Sequence, residues 1–472
     1  MGRGLTHPVR TAVAVAAVVV AGAAGSLSSA ALAPHAMAAG RHQPDVVLVI
    51  TDDQRSETLQ HMRSLRRQMI HRGVRFRSAF VPNPSCCPSR ASFYTGDYSH
   101  TNGVWKNLGP FGGVQAFDDS STLATWLHDA GYRTGLFGKY MNGYTDASMV
   151  PPGWSEWFAF LSGDGRAYYG FNASRNGALA SFSDKVYSTT ETYERVSAFI
   201  TSTPTAQPLF AVWTPIAPHR PFMPEDRYAQ TVIDLLPWRP PNYNERNVSD
   251  KPRWVRRNGR LDAGARHAID VSRLGQYRTL LSVDDGIAQI VRALRRTGRL
   301  SNTLLVFTSD NGLMWGEHRL SRKAVPYDGA SHVPLVMRYD PLTKDRRAAS
   351  AASLVGNIDI APTIMDLAGL TPPSPVDGVS LASVLDGSRQ VARAKLVIEH
   401  AQGSDAPAYC GVRTKRELFV RYATGEEEYY QLDDDPWTLE NLAARRMVRD
   451  DMRELRSYAK RKCRPLPPGF EW

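Results

Sequence analysis

Apolar and polar positions fall in blocks along this chain, and the blocks read alternately as strands and helices. Asp45–Thr51 (DVVLVIT) is a continuous apolar run of strand length, the pattern of a strand buried on both faces. It stops at Asp52-Asp53. Ser121–Ala130 has helical spacing, followed by a short strand at Arg133–Phe137 and another apolar strand at Leu209–Trp213. Ile269–Arg296 carries a long helical period, with Gly298 as a fitting stop. Thr303–Thr308 (TLLVFT) is again a buried strand, and it ends in Ser309-Asp310-Asn311-Gly312. Val333–Met337 reads as a strand and Ile358–Leu367 as a helix closed by Gly369.

Alternation of this kind predicts an α/β sandwich on a largely parallel or mixed sheet. From about Thr371 the texture changes. A Pro-rich loop leads to Leu396–Glu399, then to Arg416–Tyr422 and Glu427–Leu432 around a turn at Thr424-Gly425, and finally to a helix at Met447–Lys462. This predicts a small antiparallel unit after the main one, and 472 residues suit one large domain plus a smaller one. The expected division is a leader at 1–38, a catalytic domain at 39–390 and a C-terminal subdomain at 391–472.

The first residues differ from the rest. Arg3 and Arg10 precede an apolar, small-residue run from Thr11 to about Ala24, and no acid occurs before Asp45. This is the pattern of a secretory signal, with Ala36-Met37-Ala38 as the cleavage site; Ala31-Leu32-Ala33 is poorer because Pro34 would follow the cut. The other reading is a membrane anchor, but the run is shorter than the roughly 20 residues a span needs. A secreted product without stable membrane insertion is therefore expected. The net charge of +11 is spread widely, so it does not by itself point to nucleic acid. Export permits a disulfide, and Cys410 with Cys463 is the plausible pair. Cys86-Cys87 needs another explanation, because no CxxC spacing supports a zinc site.

Asp52-Asp53 and Asp310-Asn311 both follow the carboxyl ends of apolar strands, where open α/β sheets place ligands. All four are hard oxygen donors, which suit Ca²⁺ or Mg²⁺. Either pair alone is ordinary turn chemistry; both together make a site about as plausible as the turn reading. Pro84-Ser85-Cys86-Cys87-Pro88-Ser89-Arg90 adds to this. Pro88 fits only the first turn of a helix, so Cys86 lies at or just before a helix N-terminus, where free N–H groups favour anions. Arg90, four residues on, can face the same volume.

This segment resembles the signature of the sulfatase family: Cys86-x-Pro88-Ser89-Arg90 followed by Thr95-Gly96. The resemblance continues through Asp52-Asp53, Gly138-Lys139, Pro218-His219-Arg220-Pro221, Thr308–Gly312, Gly316-Glu317-His318 with Lys323, and Tyr430–Asp433 through Asn441-Leu442. It implies an alkaline-phosphatase-like α/β/α sandwich with a large mixed sheet and a smaller C-terminal antiparallel sheet. It implies a metal held by Asp52, Asp53, Cys86, Asp310 and Asn311, with Ca²⁺ expected and Mg²⁺ as the other option. Cys86 would be oxidised to formylglycine by a formylglycine-generating enzyme, the partner this chemistry needs. The hydrated aldehyde would attack sulfur, Arg90, Lys139 and Lys323 would balance the sulfate oxygens, and His219 would protonate the leaving alcohol. The second hydroxyl of the hydrate would then expel sulfate.

One departure stands out. Many family members carry histidine where this chain has Met141, followed by Asn142. That variant and the Cys-Cys-Pro-Ser-Arg form resemble the branch of N-acetylglucosamine-6-sulfatases and arylsulfatases, with Asn142 and His318 as expected substrate contacts. The expected reaction is hydrolysis of sulfate esters, on sulfated sugars or aryl sulfates. The alternatives are a phosphonate monoester or phosphodiester hydrolase of the same superfamily, and a non-catalytic secreted glycan-binding protein.

Overall fold

A computed structural model describes residues 1–2, 43–162, 168–346, 348–390 and 393–472. The expected leader and its cleavage site lie outside the described residues. Among those residues, no helix is long and apolar enough to cross a membrane.

Ten strands form the main sheet. In chain order they are β1 (Asp45–Thr51), β2 (Val74–Phe80), β3 (Arg133–Gly138), β4 (Glu156–Phe160), β5 (Asn172–Arg175), β6 (Ala178–Ser181), β7 (Leu209–Thr214), β8 (Thr303–Ser309), β9 (Leu335–Tyr339) and β10 (Ala349–Gly356). Their spatial order is β10-β2-β9-β8-β1-β7-β3-β4-β5-β6. The central strands β8, β1, β7, β3 and β4 run parallel, while β9, β5 and β6 introduce antiparallel pairings. The sheet is mixed, as expected.

Its two faces are both covered, which is why β1 is apolar throughout. Val46, Leu48 and Ile50 face one core with Phe93, Leu127 and Ile364, from the helices Cys86–Thr95, Leu123–Asp129 and Ile360–Leu367. Val47 and Val49 face the other, with Val196 and Phe199 of the Ser188–Ser202 helix and Val283 and Ile287 of the Ala263–Arg296 helix. Each such fully buried side chain contributes about 1.5–3 kcal/mol. The result is an α/β/α sandwich.

The long helix starts six residues earlier than its apolar period, at Ala263, because Asp262 accepts the Ala265 N–H at 2.8 Å and caps it. The strand expected from Val333 begins at Leu335, since Pro334 has no N–H to give the ladder.

The C-terminal sheet is β11 (Leu396–His400), β12 (Tyr409–Arg413), β13 (Glu417–Tyr422) and β14 (Glu427–Gln431), all antiparallel in that order. The Arg449–Lys462 helix covers one face, and Cys410 is disulfide-bonded to Cys463 beyond its end. The other face shares a core with Met314, Leu320, Val325 and Tyr327, so this sheet rests directly on the loop that follows β8.

Candidate active site

The parallel order β8-β1-β7-β3 sets the site. Parallel strands end on one edge, so the segments leaving these four are brought together: Asp310-Asn311 after β8, Asp52-Asp53 after β1, His219 after β7 and Lys139 after β3. Thr51 and Ser309 are register partners, which sets the two acidic pairs side by side. The Asp53 N–H donates to Asp310 Oδ1 at 3.2 Å, with Asp53 in the left-handed region at φ 67°. Gly138 is required where β3 meets β7, because a Cβ there would sit 2.0 Å from the Thr214 carbonyl oxygen at φ 125°. Lys139 follows directly, anchored by its N–H to that same carbonyl at 2.8 Å.

The signature segment meets this edge from above. The helix begins at Cys86, with Ser85 as an extended N-cap whose side chain makes no capping bond. Gly96 closes it at φ 81° in the left-handed C-terminal turn. All ten residues of the helix are buried. Asn357 Nδ2 donates to the Ser89 carbonyl and hydroxyl at 3.0 and 2.9 Å, fixing its roll.

Arg90 is fully buried, with Nε donating to Asp310 Oδ2 at 2.9 Å and Nη1 to the Lys139 carbonyl at 2.6 Å. Its Nη2 is 2.9 Å from Asp310 and 3.6 Å from Asp52, yet lacks an aligned hydrogen bond. Lys139 Nζ donates to Asp52 Oδ2 at 2.5 Å. Lys323 Nζ donates to Asp53 Oδ1 and lies 2.9 Å from Cys86 Sγ. His219 Nδ1 donates to the Arg220 carbonyl at 2.7 Å, which turns Nε2 towards Asp53 Oδ2 at 3.7 Å. Tyr168 steadies this loop by donating to the His219 carbonyl at 2.6 Å.

Three carboxylates and three permanent cations therefore share one buried volume. Burial alone would raise the Asp52 carboxyl, but Lys139, His219, Lys323 and Arg90 hold it well below the usual carboxylate range. Asp310 is pushed up by burial and by Asp52. Burial works against the charge on Lys323, yet Asp53, Cys86 and Asp52 hold its pKa well above the ordinary value. Burial, reinforced by Asp52, pushes the Cys86 thiol up to about 12. The unmodified Cys86 side chain is thus a neutral thiol, a poor nucleophile.

The donor set fits a hard divalent cation. Ligand atoms of Asp52, Asp53, Cys86 and His219 lie within 4.8 Å of one another. Asn311 joins them through Nδ2, which donates to Asp53 Oδ1 at 2.6 Å, while its buried Oδ1 has no hydrogen-bond partner. A buried carbonyl oxygen without a donor, on a side chain hydrogen-bonded to Asp53, is what a cation would satisfy. Asp310 stands behind, with both oxygens engaged by Arg90 and Asp53.

The remaining expected contacts divide. Met141 is 2% exposed within the apolar core, so its position contributes nothing polar to the site. Asn142 is half-buried beside Cys87: its N–H donates to Cys87 Sγ at 3.1 Å, and that thiol faces Asn142 Oδ1 at 3.3 Å. His318 is fully buried and does not reach the cluster. Its Nδ1 pairs with Glu245 at 2.6 Å, its Nε2 meets Thr438 Oγ1 at 2.9 Å, and Tyr327 covers the ring at 4.5 Å. It holds the loop carrying Lys323. Asn107, missed in the sequence, accepts the Cys87 N–H at 2.9 Å; a lone turn asparagine gives no signal.

The sulfatase family model matches residues 44–370, and a model described as N-sulphoglucosamine sulphohydrolase, C-terminal, matches 316–463. A putative extracellular sulfatase of Caenorhabditis elegans is 32% identical over 73% of this chain and 49% of its own length. Human N-acetylglucosamine-6-sulfatase is 32% identical over 77% of this chain and 68% of its own length. The chain spans 49%, 32% and 56% of the first three curated relatives it matches. A solved structure in complex with its substrate D-glucosamine-2-N,6-O-disulfate superposes with a TM-score of 0.76, at 21% identity, over 89% of this chain and 98% of that one. The phosphonate monoester hydrolase of Agrobacterium radiobacter shares the fold at a TM-score of 0.69 and 22% identity, over 89% of this chain and 94% of that one. With the family model covering well over half its length, this chain belongs to the sulfatase family.

Proposed function

We propose that this protein hydrolyses sulfate esters of amino sugars, with residue 86 as the nucleophile after oxidation of Cys86 to formylglycine. The observation that carries this reading is the placement of Cys86 Sγ 2.9 Å from Lys323 Nζ, at a buried helix N-terminus whose Arg90 and neighbouring Lys139 bind the metal-type carboxylates. A neutral thiol there has no evident nucleophilic use, whereas an oxidised residue 86 does.

The aldehyde hydrate supplies an oxygen nucleophile and a second hydroxyl at residue 86. A divalent cation, for which we favour Ca²⁺, would be held by Asp52, Asp53, Asp310 and Asn311 and supplies Lewis-acid activation. The chain's own groups do the rest. Arg90, Lys139 and Lys323 balance the anionic oxygens in a volume shielded from water. His219 presents Nε2 towards the same volume, with Nδ1–H held by the Arg220 carbonyl, so in its doubly protonated form it donates from Nε2 to the leaving alcohol, and the neutral ring left behind then accepts a proton there. It takes the base role that Met141 cannot.

Relatives named N-acetylglucosamine-6-sulfatase support the amino-sugar assignment. The basic and apolar leader supports export, and the unmodified signature requires a formylglycine-generating enzyme in the producing cell. The catalytic unit is 39–390 and the appended unit 391–472. The test is turnover of 6-O-sulfated N-acetylglucosamine beside an aryl phosphonate monoester. Faster release of sulfate than of phosphonate product supports the reading; the reverse order overturns it in favour of the phosphonate reaction.

A further inference from the structure

A cavity of about 610 Å³ lies between the turn after the signature helix and the end of the C-terminal helix, with none of the acidic cluster in its lining. That volume is in the range of built ligand sites. Its walls carry Tyr98, Arg389, Arg393, Lys395, Tyr458 and Lys462. The Arg393 side chain is 10% exposed, and among the described residues only its Nη1 is engaged, by Asp359 at 2.6 Å. Lys395 pairs with the exposed Glu454 at 2.6 Å and lies 5.4 Å from the Tyr458 ring centre. Arg389 and Lys462 are exposed and have no ion-pair partner among the described residues. Tyr98 is stacked on His100 at 5.1 Å, a rigid aromatic wall.

Asp377 also lines the cavity, but its Oδ2 is occupied by the Tyr98 N–H and the Thr101 hydroxyl, at 3.1 and 2.7 Å. Two exposed cations, a guanidinium engaged at Nη1 and the half-buried Tyr458 ring are complementary to an anionic sugar: a ring against the tyrosine, sulfate or carboxylate on the nitrogens. β11 links the cavity to the segment that precedes Cys86. Lys395 and Val397 line the cavity, and His400 at the other end of the strand accepts or donates at 2.9 Å with Asn83, three residues before Cys86. The strand spans roughly 15 Å at its usual rise. That separation is too great for one sugar to touch both places.

We infer that this cavity is an exosite for a sulfated glycan chain, holding an anionic segment of a polymer whose esterified end occupies the residue 86 site. The inference rests on the amino-sugar sulfatase reading for its choice of polymer, and its test does not require turnover. The probe is a sulfated glycosaminoglycan dodecasaccharide, titrated calorimetrically into wild-type protein and into Arg389→Glu/Lys462→Glu. Lys462→Ala alone serves if the double variant does not fold. Binding about tenfold weaker in the double variant, with hydrolysis of a small aryl sulfate unchanged, is the expected result. Equal binding by both proteins overturns the exosite. Equal loss for a single-stranded DNA of the same charge overturns the glycan assignment, leaving a general polyanion face. Absence of aryl sulfate turnover in the wild type, with the tenfold loss intact, would count against the enzymatic reading and leave the exosite standing.

Discussion

Lys323 Nζ lies 2.9 Å from Cys86 Sγ although 237 residues separate them, and the same ammonium donates to Asp53. One side chain therefore bridges the nucleophile position and the acidic cluster. It reaches there because His318, Arg319 and Arg322 fasten its loop to Glu245, Thr438 and the carbonyl of Asp405.

Lys323→Ala removes a charge placed beside residue 86 and should lower kcat by about 10²–10³. The check is steady-state release of sulfate, with unfolding followed in parallel. Because the neighbouring carboxylates hold this ammonium charged, its removal leaves Asp53 and Asp52 less balanced, and the thermal midpoint should fall as well. A kcat within twofold of wild type would show that the lysine serves the fold only.

Removal of the cation should act on the same volume. Exhaustive chelation should abolish turnover, and added Ca²⁺ should restore it. Asp52→Asn should lower metal affinity and leave Lys139 without its carboxylate partner. Metal content by mass spectrometry reads this independently of activity. A fully active, metal-free preparation would contradict the donor assignment.

Much of this was legible in the sequence, for a definable reason. β1 and β8 are buried on both faces, so each is an unbroken apolar run, and the first polar residues after it mark the sheet edge. Other strands carried no such mark. Val74–Phe80 alternates around Arg75 and Arg77, so no unbroken apolar run marks it, although Val74 and Phe76 face the core. Ala178–Ser181 is an exposed edge strand of small residues. Strand order was also invisible, and only that order shows why His219 and Lys139 meet Asp52. His318 shows what a motif does not encode: its ring nitrogens are engaged by Glu245 and Thr438, residues far away in sequence.

The disulfide gives a stability prediction. Cys410 and Cys463 are 53 residues apart in sequence, and bridging them should contribute roughly 2–4 kcal/mol. Cys410→Ala/Cys463→Ala should lower the unfolding free energy by that amount, read from a denaturant titration. A change under 0.5 kcal/mol would mean the closed loop is already ordered in the unfolded chain.

His100 and Glu399 give a pH prediction. Burial disfavours the charged ring, but the hydrogen bond and charge of Glu399 at 2.7 Å outweigh it and raise the His100 pKa. Asp377 and Asp97 act in the same direction. A raised folded value means that the stabilisation is complete below the unfolded pKa of about 6.5 and fades as pH rises through the folded one. Glu399→Gln should therefore cost more at pH 5.5 than at pH 9, by about 1–3 kcal/mol at the acid end. Urea midpoints of both proteins at the two pH values test this; an equal loss at both would contradict the charged pair.

The account turns on residue 86, and one measurement addresses it directly: intact mass of the tryptic peptide that starts at Ser78, taken from an active preparation and matched to sulfate release. The account predicts formylglycine at Cys86, an unmodified Cys87, activity proportional to the modified fraction, and none in Cys86→Ala. Full sulfate release from protein in which both residues are plain cysteine would contradict it.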